Sequence, residues 1–156
     1  MAKQIWEDEW NEIIRTVIFA DDELKTLMKV PEGTGIIPFI DKYFVRAGYT
    51  NEVLEDESVR IVYSDNQGYE AGAKNVMRKM MTFDIYVKKE DLHNVEADRL
   101  VMRTRRIASR LHKLLTDEKN TKNTGYRFWI AGDWDLGTKT IGYARYVLAL
   151  YYMKVY

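Results

Sequence analysis

NVMRKMMTFDIYVKK, residues Asn75 to Lys89, carries the two-residue period of a β-strand. Met77, Met81, Phe83, Ile85 and Val87 fall on one side, and Arg78, Thr82, Asp84 and Lys88 on the other, because successive strand side chains point to opposite faces. The apolar face must be covered by something. Immediately upstream, Val59, Ile61 and Tyr63 alternate with Arg60 and Ser64 and stop at the turn-forming run Asp65, Asn66, Gln67, Gly68. The two segments predict an antiparallel hairpin whose tip, Asp65 to Asn75, projects.

The cover is written on both sides of this hairpin. Downstream, Asn94 can cap a helix running to about Asp117, with Leu100, Ile107, Leu111 and Leu114 as its buried stripe. Upstream, Trp6, Trp10, Ile13, Ile14 and Val17 recur at helical spacing within Ile5 to Phe19, opposite Glu7, Asp8 and Glu12. Asp21 and Asp22 can cap a second short helix carrying Leu24, Leu27 and Met28, which Pro31, Gly33 and Gly35 end. Ile36 to Val45 is apolar without a clean period and contains Pro38, so it predicts irregular structure with part of an edge strand. Gly125 to Ile130 and Ile141 to Tyr156 predict two closing strands joined by a loop, Ala131 to Thr140. The expected fold is α/β, of the α+β kind. An antiparallel or mixed sheet is packed by one long helix and a shorter N-terminal helix in a single domain, 1–156.

At 156 residues, 46% of them hydrophobic, the chain can fill one core. No apolar run reaches the roughly 20 residues of a membrane helix, and Met1 to Glu12 is too acidic for a secretory signal, so a cytoplasmic protein with no membrane partner is expected. The absence of cysteine excludes disulfides, thiolate metal sites and cysteine nucleophiles. Formal net charge is zero, but its distribution is uneven: through Glu57 there are 13 acidic and 6 basic residues, and from Ser58 onward 11 acidic and 18 basic. Such opposite halves are satisfied either inside one fold or between neighbouring subunits.

Few residues invite chemistry. His93 and His112 lack the neighbours of a triad or a metal site. Glu52, Glu55, Asp56 and Glu57, and separately Asp133 and Asp135, are carboxylate groups of the sort used by two-carboxylate hydrolases or magnesium sites, but loop acids of this type are usually solvated. Gly33, Thr34 and Gly35 lack the lysine and hydroxyl of a phosphate loop. No catalytic, cofactor or metal residue is assigned, and a protein that is not an enzyme is expected.

Interface chemistry is better represented. Arg99, Arg103, Arg106, Arg110 and Lys113 recur at spacings of four, three, four and three on the expected long helix, a line of like charges that calls for something negative opposite. A solvated face, an acidic protein surface and nucleic acid are all open readings, although base-reading aromatic or amide side chains are missing from the stripe. Asp133, Trp134 and Asp135 sit in the expected loop after Gly132, with the tryptophan either tucked over the core or serving as an interface anchor, and Tyr69 in the hairpin tip poses the same choice.

The strand MRKMMTFDIYV, the helix ADRLVMRTRRIASRLHKLL and the ending GYARYVLALYY, together with the short amphipathic first helix, resemble the tail terminator, or tail-to-head joining, proteins of long-tailed bacteriophages over roughly Ile61 to Tyr152. The resemblance implies a virion protein of the neck or tail, assembled in the host cytoplasm. It implies a homo-hexameric ring that caps the tail tube protein and meets the head connector, without an active site and with a lumen that could hold DNA. By position, Asp65 to Asn75 and Gly132 to Thr140 become contact loops. A head-closure stopper or other neck protein shares this texture, and a nucleic-acid-binding module using the arginine stripe is the reading from another class.

Overall fold

The computed structural model describes residues 7–48, 57–67, 79–96, 99–137 and 141–155. The sheet predicted from the hairpin is its centre. Five strands, β1 (Phe44–Arg46), β2 (Val59–Gln67), β3 (Lys79–Lys88), β6 (Tyr126–Leu136) and β7 (Tyr143–Lys154), lie in the order β1-β2-β3-β7-β6. The β1–β2 pair is parallel and the rest are antiparallel, so the sheet is mixed. The expected hairpin pairs Ile61 with Ile85 and Tyr63 with Phe83. Met81, Phe83, Ile85 and Val87 are buried on one face, as their alternation requires; Met77, Arg78, Tyr69 and most of the hairpin tip lie outside the described residues.

Helices cover that face. The first, α1 (Glu7–Ile13), continues as a π-helical turn through Ile14–Ile18, closed by Phe19 N donating to Ile14 O at 2.7 Å. The wider turn lets Ile13, Ile14, Val17 and Ile18 all enter the core. Trp10, from α1, meets Tyr63 edge-on at 5.5 Å between ring centres, an arrangement aromatic pairs favour. Asp21 caps α2 (Asp22–Leu27), accepting from Leu24 N at 2.9 Å. The stretch read as irregular with an edge strand is a short helix, α3 (Ile36–Pro38), a second π-turn (Phe39–Tyr43) and the edge strand β1. Pro38 is accommodated because the first turn of a helix needs no N–H there.

Two boundaries differ from expectation. The long helix, α5, runs from Arg103 to Thr116, and not from Asn94. Residues ahead of it form α4 (Lys89–Leu92) and a separate two-stranded ribbon, β4 (His93–Glu96) paired antiparallel with β5 (Arg99–Met102). Leu100 stands seven residues before Ile107 and so fits a helical stripe by spacing alone. It is on the ribbon, 67% exposed. The buried face of α5 is Thr104, Ile107, Ala108, Leu111 and Leu115, with Leu114 only half-buried at its margin.

The second difference is at Ala131 to Thr140, expected as a loop. β6 continues to Leu136 across a bulge between Ile130 and Gly132. An extra residue in one strand shifts the register and lets pairing resume, and the alternation Asp133, Trp134, Asp135, Leu136 is strand-like beyond it. A seven-residue helix, α6 (Glu118–Thr124), leads into β6 through Gly125 at φ 77°, the left-handed position a glycine tolerates best.

Asp21 is central to fastening the N-terminal third to α5. Asp21 accepts from Arg110 Nε at 2.9 Å and Nη2 at 2.5 Å while capping α2, and Glu23 stands 3.0 Å from Arg110 Nη1. The Arg110 hydrogen bond holds the Asp21 carboxyl below its ordinary value. Because the folded pKa lies below the unfolded one, near 3.9, this contribution is complete above about pH 5 and lost as pH falls through the folded pKa. Asp21→Ala should cost about 2–3 kcal/mol, combining a lost cap with a broken, partly buried ion pair. Asp21→Asn should flatten the acid limb of stability measured by denaturant titration between pH 5 and pH 2; an unchanged acid limb would mean the pair contributes nothing.

Candidate assembly surfaces

The residues expected to make interfaces separate into three groups. Arg103 and Arg110 serve the chain itself. Arg103 Nε donates to Asp91 O and its Nη1 to Leu27 O, both at 2.9 Å, tying α5 to α4 and α2. With Arg110 on Asp21 and Glu23, part of the uneven charge is satisfied within the fold. Arg106 and Lys113 line a shallow groove with Glu23 and Leu27. Arg99 is on β5, ahead of the helix, so the five charges do not share one helical line.

Asp133 and Asp135 belong to the second group. Both point to the helix-covered side of β6. The Tyr146 hydroxyl donates to Asp133, and Arg105 reaches Asp135 at 2.9 Å while its guanidinium lies 5.5 Å from the Tyr146 ring centre. Burial, reinforced by the adjacent Asp133, pushes the Tyr146 phenol up to about 12. Each carboxylate is thus occupied by a neighbouring side chain. Among the described residues no group of three or more His, Asp or Glu is placed to hold a metal ion. Nor is any helix there long and apolar enough to cross a membrane.

Trp134 is the third group, and it leads to a surface the sequence reading missed. Its neighbours in the register are Val147 and, beyond that, Asp84, on the side of the sheet opposite the helices. No described helix packs there. The indole lies over Gly132, where an added Cβ would come within 3.2 Å of Cζ3, and it remains 44% exposed. The same face carries Met80, Tyr151 and Trp129 in one cross-strand row, with the last two rings 5.8 Å apart. Leu136 and Met153 are exposed on it too.

A one-sided antiparallel sheet usually turns polar residues to water. Along β6 and β7 this one turns aromatic ones. Two of its arginines are engaged within the fold: Arg145 Nη2 sits 2.7 Å from Asp84, with its guanidinium 5.6 Å from the Tyr86 ring centre, and Arg60 bonds Glu57 and Lys42 O. The free edge of β6, by contrast, carries a bulge and two aspartates, features that discourage strand addition. The face, and not the edge, is suited to contact. The signal that could have found it is the period-two alternation of Trp129 in β6 and of Arg145, Val147, Ala149 and Tyr151 in β7, which a reading of those strands as generic closing elements passes over.

The chain matches no protein-family model and no curated protein. Its surfaces therefore carry the functional argument.

Tyr146 should stay protonated well past the ordinary tyrosine value. A folded pKa raised above the unfolded 10 means the phenol's contribution to stability is whole below pH 10 and lost as pH rises through about 12. In an ultraviolet titration, Tyr146→Phe should remove one late-ionising phenol and cost about 1 kcal/mol for the lost hydrogen bond. A titration curve unaltered in the variant would refute the assignment.

Proposed function

We propose that this protein is an assembly subunit of the tail-terminator type, which forms a ring that caps a phage tail tube and joins it to the head connector. The observation that carries the assembly reading is the sheet face that no described helix covers. Trp134, Trp129, Tyr151, Leu136 and Met153 present large apolar area on a strand framework that loses little entropy on docking. A neighbouring copy is the natural cover. A heterologous contact, face of one subunit against a different surface of the next, closes into a ring when the rotation permits. The resemblance of Ile61 to Tyr152 to tail terminators supports that particular ring. A head-closure stopper would use the same contact in a different position.

Nucleic acid is a weaker occupant of this face. Aromatic rings on a sheet can stack bases, but such platforms lie in positively charged grooves, and here Arg145 and Arg60 are engaged by Asp84 and Glu57.

Light scattering on the purified protein should give a discrete species of ring size, formed alone or on addition of purified tails. Trp134→Asp should weaken that association by about 2 kcal/mol or more, the scale of a central aromatic anchor. It should leave the circular dichroism melt of the monomer nearly unchanged, since the side chain is outside the main core. A monomer indifferent to tails and connectors, or a ring insensitive to Trp134→Asp, would sink the proposal.

A further inference from the structure

A heterologous ring needs two unlike surfaces on every chain, and the aromatic face is one of them. The large apolar side chains exposed elsewhere point to the second. Leu100 is 67% exposed on the β4–β5 ribbon, and Ile141 is 96% exposed in the turn ahead of β7. Both belong to the same end of the molecule. Arg105, in the first turn of α5, reaches Asp135 at 2.9 Å, which sets the end of β6 beside the junction of β5 and α5. Lys89 N donates to Gly142 O at 2.9 Å, which sets the turn holding Ile141 beside α4, the helix that leads into the ribbon.

The ribbon is a fixed projection. It forms a sheet of its own, and a two-stranded ribbon is marginal by itself. This one is joined to the body at both ends: α4 precedes it, and Arg103, directly after β5, donates to Asp91 O and Leu27 O. Its register sets Leu100 opposite Val95 and Arg99 opposite Glu96, so opposite charges stand together near its tip. An apolar side chain held out on a pre-formed arm docks without a further ordering cost.

The arm is badly placed to cover the aromatic face of its own chain. It leads into α5, which packs on the other side of the sheet. Trp129, paired with Tyr151, is seven residues up β6 from Leu136, roughly 20 Å at the rise of a strand. Arm and rings are therefore directed at different neighbours.

We infer that the apolar end formed by Leu100 and Ile141 covers the aromatic face of the next copy, so that each ring contact is one subunit's ribbon against its neighbour's Trp129, Trp134 and Tyr151. The inference rests on the ring reading above and names the second half of its contact. The two halves are matched in charge as well as polarity. Arg145 is held by Asp84 on the face, and Glu96 stands opposite Arg99 on the ribbon, so the centre of the contact buries no lone charge. A two-fold contact of face on face would bury the rings but leave Leu100 and Ile141 in water in every copy.

The chain has no cysteine, so introduced thiols report single contacts. Arg99→Cys, beside Leu100, and Arg127→Cys, opposite Met153 at the margin of the face, flank the contact without removing an anchor. With a short bis-maleimide linker, an equal mixture of the two full-length variants should give a dimer containing one of each, and either variant alone should give none. By light scattering, Leu100→Asp should weaken formation of the ring-sized species at least about tenfold while leaving the monomer's thermal melt unmoved. Mixing Leu100→Asp with Trp134→Asp should restore a dimer, because the pair keeps one sound ribbon and one sound face. Self-linking of Arg127→Cys, self-linking of Arg99→Cys, or a ring without the mixed product would overturn the inference. A ring that Trp134→Asp dissolves and Leu100→Asp leaves whole would overturn it and keep the ring reading. A protein that neither associates nor cross-links, alone or with purified tails, would overturn both.

Discussion

Every second residue of β3 and β7 points away from the helices, and the described helices cover only one side of the sheet. On the covered side, the constraint produces an ordinary core: Met81, Phe83, Ile85 and Leu148 meet Trp10, Ile14, Ile107 and Leu111. On the other side it leaves a choice between dissolving the face in water and giving it to another molecule. The residues chosen there are Trp129, Trp134, Tyr151 and Met153, alongside Val147 and Ala149, which are small and deeply buried beneath them. Large rings over small residues make a surface that packs, and the salt links of Arg145 and Arg60 remove charges that would otherwise resist desolvation.

The uneven charge of the chain has a different resolution. Thirteen acids in the first third against a basic remainder suggest a contact between subunits, but the fold consumes part of that complementarity internally. Asp21 does two jobs at once, ending the chain's irregular approach to α2 and clamping α5 through Arg110. Glu7 pairs with Arg46, and Glu9 with Lys154 and the Tyr126 hydroxyl. These links set the helical layer in place over the sheet. Arg103 shows why a stripe of arginines is not by itself an interface: an arginine can spend its donors on backbone carbonyls that a helix and a turn leave open.

What was legible in the sequence follows from where local pattern and tertiary context agree. The β2–β3 hairpin, the amphipathic first helix, the Asp21 cap and the edge character near Phe44 are governed by spacing, capping and proline chemistry, and each is found where the residues put it. Leu100 misled because seven residues is close to two helical turns, so a ribbon residue can keep helical phase with Ile107 by coincidence. Gly132 misled because a glycine leading into Asp133, Trp134 and Asp135, with Gly137 after them, reads as a tight loop, whereas in a paired strand it marks a bulge. The interface residues failed in a more basic way. Arg105 and Arg145 belong to no stripe, and their roles arise only when α5 packs beside β6 and brings Arg105 to Asp135, and when β3 pairs with β7 and brings Asp84 to Arg145.

The chemistry of the sheet face also decides which forces could hold anything against it. Arg145 and Arg60 on it are engaged by Asp84 and Glu57, and Arg127 stands opposite Met153 at its margin. The apolar rings of Trp129, Trp134 and Tyr151 lie between these charges on neighbouring strands. Contact centred on the rings would draw on buried apolar area and depend little on salt, whereas contact reaching Arg127 would be steered by charge and weaken as ionic strength rises.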